Sequence, residues 1–358
     1  MKNIVYNKIY VSIVKKIFII LLIIFSLYGI KLKAATPSVY ADSYILMESS
    51  SQRVLLGKNI DKRSLTASIC KVLTAIIVIE NCNINDYILV DKDAVNQVGS
   101  SIYLKENDLI LIKDLLYGLL LRSGNDCAYL LSKHICNNVN EFGLLMNQYA
   151  KKIGMKNSTF TNPSGLDETT FNYSTPYDMA ILMIYAMKND IFRNIISCKS
   201  HISYTGNNQK LYFYNKHKLV QKYDYIIGGK TGFTEKAKRT LITYASKNGM
   251  ELVCVTFNSG NDWNEHLNMF NYGFENFKLE TLYKSQIINT SVILDYTPYL
   301  ENDVILPISK SDNISIKIYL LKSKDKIKYK DSETNVVGNI CIYNNDKQIY
   351  KMDIIRYY

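Results

Sequence analysis

Apolar residues recur at helical spacing over residues 67–80 (ASICKVLTAIIVIE), where Leu73, Ile76, Ile77 and Ile79 form a broad stripe. The stripe predicts a buried helix. The same period predicts helices over 112–122, 126–136, 140–153, 175–187 and 261–276. Thr175-Pro176 is a good helix entry. Runs rich in Val, Ile, Thr and Tyr predict strands over 43–47 and 52–56, which read as a hairpin, and over 87–90, 210–214, 225–234, 239–245 and 251–258. Residues 95–104 fit neither period and read as irregular. From about Leu282 the texture changes. Short alternating runs at 286–293, 313–321, 336–343 and 348–355 are separated by turn residues such as Asn344-Asn345-Asp346. These runs predict a hairpin-rich β region over 281–358, behind a mixed region over 35–280: an α+β chain.

The bulk composition narrows the class. The chain has 358 residues, 47% hydrophobic and 21% charged, enough for a full core and two domains. Lys2, Lys8, Lys15 and Lys16 precede the apolar run 17–30, and Lys31-Leu32-Lys33-Ala34-Ala35 follows it. This is the pattern of a secretory signal peptide over 1–34, cleaved near Ala34 or Ala35, which predicts an exported protein. An uncleaved anchor is the alternative, although the run is short for a span. Six of the net +11 charges lie in residues 1–34, so the remainder carries about +5. That excess is mild, dispersed and unsuited to nucleic acid. It suits an anionic cell envelope. The seven cysteines include no C-x-x-C pair and mostly fall in apolar patterns, as buried free thiols do. The four histidines lack metal-ligand spacing, and no metal or cofactor is implied.

Three short motifs carry chemistry. Ser68 precedes Lys71 by three residues at the start of the first predicted helix, so the two share a face. A serine hydroxyl needs a neighbouring base, and a lysine desolvated in an apolar helix can be one. Cys70 would point away from that face. First-turn backbone N–H groups suit a developing oxyanion. Ser123-Gly124-Asn125 interrupts two apolar helices, where a loop would push a hydroxyl and an amide into a cleft. Lys230-Thr231-Gly232 lies beside a predicted strand. Singly, these read as a helix cap, a capping turn and an exposed lysine.

In this order, S-x-x-K, S-x-N and K-T-G resemble the set found in penicillin-binding proteins and class A β-lactamases. Gly99-Ser100-Ser101-Ile102-Tyr103-Leu104, Gly154-Met155-Lys156-Asn157, Ser174-Thr175 and Tyr272-Gly273-Phe274 extend the likeness to the low-molecular-weight penicillin-binding proteins, the serine-type D-alanyl-D-alanine carboxypeptidases. The resemblance implies an antiparallel sheet flanked by a helical cluster, followed by a small β-sandwich. It implies that Ser68 attacks the penultimate D-alanine carbonyl of a peptidoglycan stem peptide, with Lys71 as base and Ser123 as proton relay. Asn125 would bond the peptide amide. Lys230 and Thr231 of the Lys-Thr-Gly232 strand would hold the terminal carboxylate, with Arg239 as a further candidate. The N–H groups of Ser68 and Phe233 would form the oxyanion hole. β-Lactams would acylate Ser68 and stay, since 157–165 holds no glutamate to deacylate them. The sequence departs from the family at Ser164, Asn172-Tyr173, Lys238 and Ile69-Cys70, and no amphipathic helix follows the last strand. Peripheral membrane or wall association is therefore left open, and a D,D-endopeptidase or a silent penicillin-binding wall protein stand as alternatives.

Overall fold

The computed structural model describes residues 36–291, 294–321 and 335–357. The predicted leader over 1–34 lies outside them.

Strand β1 (Ser43–Glu48) is buried along its whole length. Ile45 and Met47 enter one hydrophobic core, whereas Tyr44 and Leu46 enter another. A strand covered on both faces loses the alternation of a half-exposed one. It lies inside a five-stranded antiparallel sheet with β2 (Val54–Lys58), β5 (Ile226–Thr234), β6 (Lys238–Lys247) and β7 (Met250–Phe257), in the order β2-β1-β7-β6-β5. A separate hairpin, β3 (Ser200–Tyr204) with β4 (Lys210–Tyr214), precedes β5 in the chain.

Helices α1 (Lys71–Asn81), α2 (Ile112–Tyr117), α3 (Asn125–Ile135), α4 (Val139–Ile153), α5 (Pro176–Met187) and α6 (Asp190–Ser197) share the larger core with Ile45, Val253 and Val255 of the sheet. Leu73, Ile76 and Ile77 of α1 are fully buried there, each contributing about 2 kcal/mol. Helix α7 (Asp262–Asn276) covers the opposite face, where Met269 and Phe270 join Leu46, Leu252 and Cys254.

The β region begins ahead of residue 281, at β8 (Phe277–Tyr283). After it come β9 (Thr297–Leu300), β10 (Val304–Ser309), β11 (Ile314–Leu320), β12 (Val336–Asn344) and β13 (Lys347–Tyr357). Strand β8 pairs with β10, and β9-β13-β12-β11 run together in a second sheet. Val304 and Leu306 from the first and Ile340, Ile342 and Ile354 from the second form one core. The chain is α+β, as expected.

Five of these elements were not expected: α6, β3, β8, β9 and β10. Pro298 and Pro307 sit within β9 and β10 and hide their strand character. Helix α6 follows the cap Asn189, whose side chain accepts from the Phe192 N–H. The turn between β1 and β2 meets the β region through Arg53, whose Nη2 lies 2.9 Å from Asp312 Oδ2. The same guanidinium bonds the Pro307 carbonyl and lies 5.6 Å from the Phe277 ring centroid.

Candidate active site

The apolar stripe of α1 carries a tighter turn at its head. Residues Ala67–Cys70 wind as a 3-10 helix before the α-helix begins at Lys71. In that winding, residues three apart eclipse one another. Ser68 Oγ and Lys71 Nζ are therefore neighbours, 3.0 Å apart. The turn is held from both sides. The Thr66 N–H donates to the Asn172 carbonyl (3.0 Å), and Thr240 Oγ1 donates to the Thr66 carbonyl (2.9 Å). Gly232 of β5 passes so close that a Cβ there would lie 2.9 Å from Ser68 N and 2.4 Å from Thr240 Oγ1. The glycine of the K-T-G motif lets the strand lie against the turn that bears Ser68.

Lys71 is fully buried. Its Nζ also contacts Asn125 Oδ1 (2.7 Å) and the Ser164 carbonyl (2.6 Å). Burial lowers its amine to about 8, with Lys216 adding to the fall and nearby Cys70, Cys127 and Asp126 opposing it. A neutral amine has two N–H donors and one lone pair. Two carbonyl-type oxygens take the two donors, which leaves the lone pair for the Ser68 hydroxyl. At pH 7 about a tenth of Lys71 is free base. The rate of Ser68 acylation should therefore rise about tenfold between pH 7 and pH 9, as the base form fills. Single-turnover acylation across that range checks it, and a flat profile would remove Lys71 as base.

Ser123 and Lys230 form the second pair. The helix that begins as α2 ends in a π-turn over Gly118–Arg122, wider than an α-helical turn. Ser123 follows in the left-handed region (φ 66°), and α3 starts at once. A non-glycine residue held there is strained, and such strain concentrates at functional sites. Lys230 Nζ donates to Ser123 Oγ (2.9 Å) and to the Thr231 carbonyl (2.8 Å). Lys230 is almost wholly buried, and that burial, with Lys71 and Lys216 nearby, holds its amine well below the ordinary lysine range.

Asn125 joins the two pairs. It lies two residues past Ser123 and bonds Lys71, while its Nδ2 donates to the Val98 carbonyl (2.6 Å) and its N–H to the Ser100 carbonyl (2.7 Å). Asp126 fixes the same loop by accepting from Ser101 Oγ (2.5 Å) and the Ile102 N–H (2.9 Å). Asn162 Oδ1 accepts from the Ser164 and Gly165 N–H groups (3.1 and 2.7 Å), which aims the Ser164 carbonyl at Lys71. Ser100, Ser101 and Ile102 belong to the Gly99–Leu104 stretch that carries the family likeness, and the Asn162-Pro163-Ser164-Gly165 turn is the sequence signal for the other support.

The remaining candidates lie on or beside β5, which ends the order of the sheet and has β6 as its one ladder partner. Phe233 there is 58% exposed. Ser68, as a first-turn residue, has no acceptor for its N–H within its own helix. Arg239 stands opposite Phe233 in the register, but its guanidinium closes in two bonds on the buried Asp262 (3.1 and 2.7 Å). Its charge is already matched. Cys70 is buried, accepts from Asn172 Nδ2 (3.3 Å), and its thiol is pushed up by burial. A cavity of about 170 Å³ opens beside the cluster, lined among others by Gln97, Asn125, Tyr129, Ser164 and Glu168.

Known proteins resemble this chain in sequence and in fold. A family model described as D-alanyl-D-alanine carboxypeptidase, peptidase S11, matches residues 30–261. The chain is 28% identical over 280 residues to the D-alanyl-D-alanine carboxypeptidase DacF of Bacillus subtilis, covering 72% of each chain. It is 28% identical over 349 residues to DacD of Escherichia coli, covering 91% of this chain and 88% of that one. The solved penicillin binding protein 5 of Haemophilus influenzae superposes with a TM-score of 0.74 at 24% identity, over 90% of this chain and 98% of the other, which extends the shared fold through the β region. The chain belongs to the peptidase S11 family, the serine D-alanyl-D-alanine carboxypeptidases.

Proposed function

We propose that this enzyme trims peptidoglycan stem pentapeptides through an acyl-enzyme on Ser68, at the outer face of the cell envelope. The supporting observation is the pairing of Ser68 with a buried Lys71 whose other two contacts are fixed acceptors. Ser68 Oγ attacks the carbonyl carbon of the penultimate D-alanine, and its proton passes to Lys71 Nζ. The tetrahedral oxygen is stabilised by the N–H groups of Ser68 and Phe233. The C–N bond breaks, and the departing D-alanine amine takes a proton through Ser123, which Lys230 orients. Thr231 and Lys230 hold the peptide end, and Asn125 aligns the amide. Water then attacks the ester and returns free Ser68 and a peptide shorter by one residue. β-Lactams enter by the same attack and remain as esters. The basic, apolar leader suits export, and the reading places the mature protein against the wall.

Mass spectrometry of products from a soluble pentapeptide tests the activity. Loss of one D-alanine, absent in Ser68→Ala, is the expected result. Cleavage of cross-linked dimers alone would make the enzyme an endopeptidase.

A further inference from the structure

We propose that His217, outside all three motifs, is a positioning residue that holds Lys230 in place from behind, through the glycine ahead of it. The inference deepens the reading above, in which Lys230 orients Ser123.

Strand β5 reaches the site through Gly228-Gly229. Two successive glycines bring no side chains to pack and leave the backbone free to wander. Neighbours grip this stretch instead, one from each face. A Cβ on Gly228 would lie 2.7 Å from Ile196 Cγ2 of α6, and a Cβ on Gly229 would lie 2.4 Å from His217 Nε2. Positions along a strand alternate between its faces. Lys230 therefore shares the face of Gly228, and His217 stands behind the strand, one residue before the lysine.

His217 is itself tied to the other half of the site. The preceding Lys216 N–H donates to the Leu121 carbonyl (3.0 Å), two residues ahead of Ser123. The His217 N–H donates to Asn215 Oδ1 (2.9 Å), and the Asn215 N–H to the Lys199 carbonyl (3.0 Å). The imidazole then passes behind β5 to Thr243 Oγ1 (2.9 Å), whose residue lies opposite Gly229 in the β5–β6 register. One pattern of protons satisfies these bonds. His217 Nδ1 accepts from the Val220 N–H (3.4 Å), so Nε2 carries the proton and donates to Thr243. Thr243 donates to His266 Nδ1 (2.8 Å), and His266 Nε2 donates to Thr256 Oγ1 (3.0 Å). Both rings are neutral in this pattern. Burial lowers His217 to about 3 and holds His266 well below the ordinary histidine range. Trp263 meets the His217 ring edge-on, with centroids 5.1 Å apart. A ring held at both nitrogens is a fixed stop for a strand that has no side chain of its own at that point.

The test follows acylation of Ser68 by a fluorescent penicillin in the full chain. His217→Ala should lower the rate constant about tenfold, the scale of a small misplacement in a reacting pair. The fraction labelled at completion should match the wild type. The backbone bonds of residues 215–217 do not involve the imidazole, so Lys216 stays in place and the apparent pKa of acylation, set by Lys71, should not move. Thr243→Val cuts the chain at its middle and should slow acylation in the same way, whereas Thr243→Ser should keep the wild-type rate. In a Lys230→Met background, His217→Ala should change the rate by less than about twofold, because the group it places is gone. Equal losses in both backgrounds would make His217 a general support and overturn the proposal. So would an unchanged rate constant, or a raised apparent pKa, which would trace the loss to a displaced Lys216. Failure of the wild-type enzyme to release D-alanine from a pentapeptide, with these acylation results intact, would strike the carboxypeptidase reading and leave the placement of Lys230 by His217 standing.

Discussion

Replacing Lys71 with methionine should slow acylation of Ser68 by about a thousandfold while the protein stays folded. The two side chains are alike in length and bulk, so the hole is filled. Methionine leaves Asn125 Oδ1 and the Ser164 carbonyl without their donor, at about 1–3 kcal/mol each. Removal of a buried amine that resists charging works in the opposite direction. The net change in thermal stability should therefore be small beside the loss of rate. The rate constant for labelling by a fluorescent penicillin, read with the melting temperature, separates the two. Labelling at the wild-type rate would mean that another group takes the Ser68 proton.

The second large effect should come from a residue with no reactive group. Gly165→Ala is expected to cost roughly 3–5 kcal/mol, lowering Tm by at least about 5 °C. Gly165 has φ 82°, and a Cβ on it would lie 1.9 Å from the Ala67 carbonyl oxygen and 2.8 Å from Cys70 Sγ. Both obstacles belong to the turn that carries Ser68, so relief of the clash must move the nucleophile. Acylation should fall in the fraction that remains folded. Gly154→Ala is the matched control. It too is left-handed (φ 96°), but a Cβ there meets nothing within 4 Å, so only the conformational cost of about 1 kcal/mol applies. Equal melting temperatures for the two variants would show that the contact with Ala67 is not limiting.

Most of the main elements were legible because their burial is periodic. The stripe of α1 and the paired leucines of 112–122 can be read directly, and so can the β-branched run of β7. Helix α6 had a signal in Asn189 followed by Phe192, Ile195 and Ile196, but the helix is only eight residues long. Strands β9 and β10 were hidden by prolines that an edge or short ladder tolerates. The position of Ser68 near Lys71 followed from spacing, although the 3-10 winding that eclipses them did not. The supporting residues could be picked out, but two of their contacts were invisible for a plain reason. Ser164 acts through a carbonyl that every residue possesses, and Lys216 reaches Ser100 across 116 positions of sequence. Arg239 shows the reverse case: its neighbours in the sequence give no hint that Asp262 closes on it.

The widened turn over Gly118–Arg122 makes residue count a design variable in its own right. The Ser123 N–H reaches back five residues to the Gly118 carbonyl, where an α-helix would reach back four. The turn thus takes up one residue more than an α-helical turn between α2 and Ser123. Exchanges among Leu119, Leu120 and Leu121 alter packing locally, whereas a single-codon deletion changes the way the turn closes ahead of both pairs. For this stretch, length is a stricter inheritance than spelling.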